Sequence, residues 1–543
     1  MRFANLAVLL VTIALCTPVR SVAQGVSYEE LVRASQEPQN WLMYGGDYRS
    51  WRFSRLKQIN RQDVSELRPA WIYQRSAPGE MIEDSPVVVN GIMYVVEPPS
   101  TVTALDARTG VPIWSWSPKL PKRVVAIGLH QTSRGVAVLG DTIYVGTIDA
   151  HLVALDARTG AVRWDVTLGD NKEGYAITSA PMAINGKIIV GPGGGEAGAR
   201  GFIDAYDAQT GKRLWRLYTI PLPGEPGSET WGNAQILGGL AWNKGSYDPN
   251  LNTLYWGTGN PAPDYNGDAR TGDNLYTCSL LAIDADTGTV KWHFQYSPHD
   301  THDWDGVQVP ILFDATVNGK PRKLLSVANR NGFYYVLDRA TGEFIAGSPF
   351  IKQTWAQGLD AKGRPIIVPN TDPGFEPVLV YPSNNGGVDW VSPAYSPETK
   401  FFYVSAREMG AYFAKAKLPD KPLQVGTPLI LGGAGNQYLS GDDSYGAIRA
   451  LDATTGKMKW EFRLDAPAWV APLATAGGLV FSGDDEGNFF ALDAETGKAL
   501  WHFRTGGSFL ASDTRSSPVT YEVNGKQYVE IAAGDAFIVF DLR

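Results

Sequence analysis

The sequence predicts an all-β chain: an eight-bladed β-propeller with four-stranded antiparallel blades. Three observations predict it. First, the 543 residues include Gly 59, Pro 35 and Trp 17, with hydrophobic residues at 44% and charged residues at only 19%. Such a chain can bury a large core and is cut into short strands by turns. Second, the pattern Ala-x-Asp-x-x-Thr-Gly-x-x-x-Trp recurs from Ala104 to Trp114, Ala154 to Trp164, Ala205 to Trp215, Ala282 to Trp292, Ala450 to Trp460 and Ala491 to Trp501. A variant runs from Val336 to Ala346, with Ala346 in place of Trp. Repeats of this period are a signature of propeller blades. Third, no Gly/Ser-rich or Pro-rich linker divides the chain, which favours one ring over two β domains.

Taken in order, residues 1–23 read as a signal peptide. Arg2 supplies a positive start, Leu6 to Leu15 an apolar run, and Ser21-Val22-Ala23 a small-residue cleavage site. The run is too short to span a bilayer, and no later stretch reads as a span. Residues 24–543 then form the propeller. Alternating runs such as Gly186-Lys187-Ile188-Ile189-Val190 are strands. Each Asp-x-x-Thr-Gly is a tight turn, with Asp accepting backbone N–H bonds and Gly supplying positive φ. The Trp that follows packs between neighbouring sheets. Between Asp338 and Asp452 lies room for one more unit, and Tyr395 to Lys400 followed by Phe401-Phe402-Tyr403-Val404 reads as its degenerate remnant. Trp71 near the start and Ala536 to Phe540 at the end predict a blade closed by both termini.

Composition also excludes functions. A net charge of −8 offers no basic footprint for nucleic acid. Two cysteines, Cys16 and Cys278, rule out a disulfide scaffold, a Cys-rich zinc site and an iron–sulfur cluster. There is no C-x-x-C-H, hence no covalently attached haem.

Chemistry is sought where the repeat is interrupted. Gly191 to Gly201 carries one carboxylate, Glu196, among glycines that admit a flat ligand; a flexible turn is the alternative. Trp256-Gly257-Thr258-Gly259-Asn260-Pro261 ends a strand-like run on Asn260, either a ligand or a turn residue. His299 to Gly306 crowds Asp300, Asp303 and Asp305 with two histidines, and Trp304 among them disfavours a merely solvated loop. Glu, Asn and Asp are hard oxygen donors, suited to Ca²⁺ or a similar cation rather than zinc or copper.

Together these segments resemble the PQQ-dependent alcohol dehydrogenases, the methanol/ethanol dehydrogenase-like quinoproteins, over nearly the whole chain after residue 23. Thr178-Ser179-Ala180-Pro181 stands 18 residues before Glu196, and Trp242 stands 18 before Asn260. Tyr247-Asp248-Pro249 and Asn329-Arg330-Asn331-Gly332-Phe333 match family segments too. The resemblance implies an eight-bladed propeller that binds PQQ and one cation. It implies Glu196, Asn260 and Asp303 as metal ligands, Asp303 as catalytic base and Arg330 beside the reactive carbonyl. Trp242 lies flat against the quinone, and Glu83, Arg134, Thr178, Gly194, Gly195, Asp389, Trp390 and Trp469 fall at further cofactor-binding positions. Asp305, two residues after the base, resembles the lanthanide-using members, so a lanthanide(III) ion is preferred to Ca²⁺. Gly128-Leu129 stand where the family often has adjacent cysteines, Asp389 where many members have Asn, His302 where a Trp is common, and Gly193 where some have Ser.

The implied function is a periplasmic dehydrogenase of alcohols, or of sugar and polyol hydroxyls, that passes hydride to PQQ and electrons to a separate soluble carrier such as a cytochrome c. The alternative is a non-catalytic exported propeller, a binding or assembly scaffold that needs the turns but not Glu196, Asn260 and Asp303 together. Residues 412–448 are expected to form part of a lid over the channel mouth.

Overall fold

A computed structural model describes residues 25–75, 82–122, 124, 133–426, 430–441, 444–467, 469–506 and 515–543. The expected signal peptide and Gly128-Leu129 lie outside the described residues. Within them the chain folds into a propeller-like succession of eight sheets of four or five strands, with smaller two- and three-stranded sheets inserted. The first sheet shows the pattern. Val87–Val89, Ile92–Glu97, Thr101–Asp106 and Pro112–Trp116 pair antiparallel in chain order. The middle strands are buried on both faces, whereas fourth strands such as Val162–Thr167 alternate with solvent. A half-wet outer edge is how a stack of sheets limits unpaired strands.

The Asp-x-x-Thr-Gly segment joins third strand to fourth, and it locks each sheet to its neighbour. Asp106 Oδ1 accepts the N–H groups of Arg108 and Thr109 at 2.9 and 3.0 Å. Gly110 follows with φ +72°, and a Cβ there would stand 2.5 Å from the Trp71 ring of the preceding sheet. Gly thus provides both the turn and a flat seat for an indole. The same seating recurs for Gly160 with Trp114, Gly211 with Trp164, Gly288 with Trp215, Gly342 with Trp292 and Gly497 with Trp460. A register shift lies in every one of these hairpins, and such a bulge re-aims the Trp toward the next turn.

The indole N–H groups of Trp71, Trp114, Trp164, Trp215 and Trp460 donate to the carbonyls of Ala107, Ala157, Ala208, Ala285 and Ala494. A tyrosine hydroxyl often shares the same carbonyl, as Tyr94 does at Ala157 and Tyr403 at Ala494. Where Ala346 replaces Trp, the next sheet is reached by Tyr334, which donates to Ala453 and seats on Gly456. Each bond is worth about 0.5–1.5 kcal/mol net.

The last sheet takes Val519–Val523, Lys526–Ala533 and Ala536–Asp541 from the C-terminal end and Arg68–Gln74 from near the N-terminus. Closure by both ends is therefore as the sequence predicts. Tyr521 donates to Ala107 at 2.6 Å and ties this sheet to the first. The count of units needs one correction. Ala394–Ser396 and Phe401–Glu408 form the first half of the sheet whose second half, Tyr445–Asp452 and Met458–Leu464, carries the Asp452 turn. Tyr395 to Lys400 is therefore a hairpin inside that unit, not a unit of its own. One sheet also gains a fifth, parallel strand, Phe53–Ser54 beside Leu473–Thr475. Next to it the fully buried Arg52 donates to the carbonyls of Tyr44, Pro472 and Pro518, stapling the N-terminal segment to two sheets.

Candidate active site

In a sheet of consecutive antiparallel strands, the entry to the first strand and the exit of the second lie at one end. Every candidate residue sits at that end. Glu83, Thr178, Trp242, Trp390 and Trp469 each stand four residues before a first strand, and Arg134 two before Val136–Leu139. Glu196, Asn260 and Arg330 follow the second strands Lys187–Val190, Thr253–Gly257 and Lys320–Ala328. Asp303 and Asp305 lie on the loop into Ile311–Val317. The Asp-x-x-Thr-Gly turns occupy the opposite end.

On one side of the site, carboxylates converge on a guanidinium. Arg330 Nη1 donates to Asp305 Oδ2 at 2.5 Å, Nη2 lies 3.3 Å from Asp303 Oδ2, and Nη1 lies 3.6 Å from Asp389 Oδ1. Asp305 Oδ1 accepts the Asn260 backbone N–H at 2.9 Å. Asp303 has φ +63°, outside the regions most side chains adopt. Such outliers persist where surrounding structure over-determines them, often at functional sites. Glu196 lies on the single turn Gly195–Ala197, its carbonyl bonded by the Ile430 N–H at 2.5 Å.

Burial pushes the Asp303 carboxyl well above the usual range; Arg330 opposes the rise, and Asp264, Asp305 and Glu196 add to it. Asp264 is raised the same way, first by burial and then by Glu196. Three carboxylates, those of Asp303, Asp305 and Asp389, thus crowd one guanidinium, with Asp264 and Glu196 beside them, a field that favours a cation. Among the described residues no three His, Cys, Asp or Glu side chains form a metal-holding group by themselves; the set the resemblance implies includes the amide of Asn260. Arg330 draws Asp303 and Asp305 to itself, and both Asp305 oxygens are bonded.

The other side is aromatic. Arg134 Cζ lies 4.5 Å from the Trp390 ring centre and 5.2 Å from that of Trp242. Its Nη2 pairs with Glu83 at 2.7 Å, while Nε and Nη1 are buried without a hydrogen-bond partner among the described residues. The Arg134 backbone N–H donates to Thr178, whose hydroxyl reaches the Trp242 carbonyl at 3.4 Å. Trp390 and Trp469 share an apolar cluster against which Trp242 packs. Two unpartnered guanidinium donors between indole faces fit a planar, anionic ligand such as PQQ. On the other side, Asn, Asp and Glu oxygens fit a hard cation.

The glycines and histidines of these loops also shape the backbone. A Cβ on Gly194 would meet the Gly174 carbonyl at 2.4 Å and one on Gly191 the Ala241 carbonyl, so both glycines allow close backbone approach. A Cβ on Gly195 would stand 3.9 Å from Asn260 Oδ1. His302 lies 2.9 Å from the Thr371 carbonyl and stacks on Trp304, and His299 lies 3.0 Å from the Gly272 carbonyl. Both shape the loop. Among the described residues of 412–448, Gly433 and Gly435 allow close approach to Tyr265, and the Gly426 N–H donates to the Ala197 carbonyl beside Glu196.

Sequence reading missed Arg407, Arg515 and Asp264. Arg407 and Arg515 lie over Trp469, at 3.5 and 4.5 Å from its ring centre. Arg515 stands four residues before Val519–Val523, the register of five of the candidates, and that spacing was a usable signal.

These features define a propeller-like protein with an aromatic, cationic cluster and a carboxylate-rich cluster at the same end of its sheets. The protein-family model described as the PQQ glucose/ethanol/alcohol dehydrogenase β-propeller domain matches residues 41–348, and one described as outer membrane protein assembly factor BamB matches residues 404–541. Quinoprotein alcohol dehydrogenase PedH of Pseudomonas putida is 39% identical over 94% of this chain and 88% of its own length. Lanthanide-dependent methanol dehydrogenase of Methylacidiphilum fumariolicum is 36% identical over 86% and 81%. The solved quinohemoprotein alcohol dehydrogenase ADHIIG of Pseudomonas putida superposes with a TM-score of 0.89 at 36% identity, covering 96% of this chain and 83% of that one. The chain belongs to the PQQ-dependent alcohol dehydrogenase family.

Proposed function

We propose that this protein is a periplasmic dehydrogenase that oxidises alcohols, or sugar and polyol hydroxyls, and hands electrons to a separate soluble carrier such as a cytochrome c. In this reading residues 1–23 are an export signal and residues 24–543 an eight-bladed ring. The observation that carries it is Arg134, whose two unpartnered buried donors lie between Trp242 and Trp390, at the same end of the sheets as Asp303.

Glu83, Arg134, Thr178 and the three tryptophans would hold PQQ, with Gly194, Gly195 and Asp389 at its edges. Glu196, Asn260 and Asp303 would hold one Ca²⁺ or lanthanide(III) ion, with Asp305 alongside. When bound, PQQ supplies a two-electron acceptor for hydride and the cation a Lewis acid. Asp303 accepts the hydroxyl proton of the substrate as general base. Arg330, held by Asp303 and Asp305, presents positive charge where negative charge develops. Tyr265 and the 412–448 segment exclude water from the mouth. A non-catalytic scaffold would need the turns alone; the gathering of Asn260, Asp303, Asp305 and Arg330 at one end favours the enzyme.

The test is Asp303→Asn, assayed by dye reduction with PQQ and either Ca²⁺ or La³⁺. Turnover should fall by about 10²–10⁴ with the melting temperature held. Retained turnover would remove Asp303 from the role.

A further inference from the structure

Asn260 is held at both ends by aspartates. Its backbone N–H donates to Asp305 Oδ1 at 2.9 Å, and its side-chain Nδ2 donates to Asp264 Oδ1 at 3.1 Å and to the Pro261 carbonyl at 3.4 Å. Asp264 is 1% exposed and Asn260 8%. Beside a bound cation Asp264 is held ionised, and an ionised carboxylate accepts and never donates, so it fixes which way the amide faces. A flipped amide would set its oxygen against two acceptors. In the bonded orientation Oδ1 faces Gly195, the neighbour of Glu196, where a Cβ would stand 3.9 Å away. Asp264 is itself anchored, because the fully buried Arg270 donates to the Pro263 carbonyl at 2.8 Å and to the Asp300 carbonyl at 2.7 Å. One guanidinium therefore joins the loop of Asn260 and Asp264 to the loop of Asp303 and Asp305.

From this geometry we propose that Asp264 is a positioning residue that sets cation preference. It turns the Asn260 oxygen toward the cation and adds a further negative charge just behind the ligands. The inference rests on the cation site of the preceding section. An added charge at fixed distance attracts a trivalent ion more than a divalent one, in proportion to the ion's charge. Asp264 therefore favours lanthanide(III) over Ca²⁺, beyond what Glu196, Asn260 and Asp303 provide.

The test measures binding rather than turnover. Terbium(III), read by tryptophan-sensitised luminescence, and Ca²⁺, read by its competition with terbium, are titrated into the full chain with PQQ present. Wild type is compared with Asp264→Asn and Asp264→Ser, each checked for an unchanged circular dichroism spectrum and melting temperature. The two variants differ in size, so a folding defect in one leaves the other to decide. The terbium-to-calcium affinity ratio should fall about tenfold in the variants. A purely structural residue would weaken both ions alike and leave the ratio unmoved. An unchanged ratio with wild-type binding intact overturns the role of Asp264 and leaves the cation site standing. Failure of wild type to bind either ion overturns the site and this inference together.

Discussion

The two ends of the sheets use the same amino acid in opposite ways. At one end the turn aspartates Asp156, Asp207, Asp284 and Asp452 accept backbone N–H and hydroxyl bonds from their own turns. Their pKa values are lowered, that of Asp156 to about 2, the largest opposing effect being modest burial. At the other end Asp264, Asp303 and Asp305 are buried together and their pKa values are raised. The first set stabilises the fold as anions. The second is electrostatically stressed, and relief comes from Arg330 or from a bound cation. Aspartates that strain the free protein and ease on ligation are what a binding site requires. Those that satisfy only their own turn belong to the scaffold.

That contrast breaks most sharply at the cleft. Arg134→Ala should weaken PQQ binding about a hundredfold or more, because two charge-assisted donors are lost. Quenching of tryptophan fluorescence on PQQ titration measures it, and unaltered affinity would mean that Arg134 is scaffold.

A smaller effect comes from Glu530, fully buried, with neither oxygen hydrogen-bonded among the described residues. Burial first, then Asp84, raises its pKa well above 4.5, against the pull of Arg52. A raised carboxyl pKa gives stability that is whole below the ordinary value and lost as pH rises through the raised one. Glu530→Gln should leave the melting temperature unchanged near pH 4 and raise it under alkaline conditions, by about 2–4 °C for each kcal/mol recovered. Calorimetry across that window checks it, and a parallel shift at all pH values would rule out titration of Glu530 as the cause.

Least is expected of a single turn. Asp207→Ala removes acceptors for the Gln209 and Thr210 N–H groups and the Thr210 hydroxyl, and should cost about 0.5–1.5 kcal/mol near neutral pH. Its lowered pKa places that stability above the ordinary carboxylate range and removes it as pH falls, so variant and wild type should converge in acid. PQQ affinity should not move.

The scaffold was legible because its physics is local. Asp, Thr, Gly and Trp act within eleven residues, and periodicity exposes them. The tyrosines that share the alanine carbonyls were not, since Tyr94 and Ala157 meet only across two sheets. The hairpin at Tyr395 to Lys400 was misassigned because Lys400, with φ +61°, imitates a repeat turn without belonging to one. Site residues came from resemblance, and the fold gathers them. Asp264 escaped because nothing in Ala262-Pro263-Asp264-Tyr265 distinguishes a buried acid from a solvated one; only the fold turns it toward Asn260.

The pairing of Arg68–Gln74 with Ala536–Asp541 makes the molecule a belt whose buckle uses both ends of the strap. During synthesis the first of these strands must wait, edge exposed, until residues Ala536–Asp541 have been made. Glu83 and Arg515 stand just before the first strands of the two sheets that meet at this buckle, so loss of Ala536–Asp541 would leave most sheets formed yet these two residues without their seam.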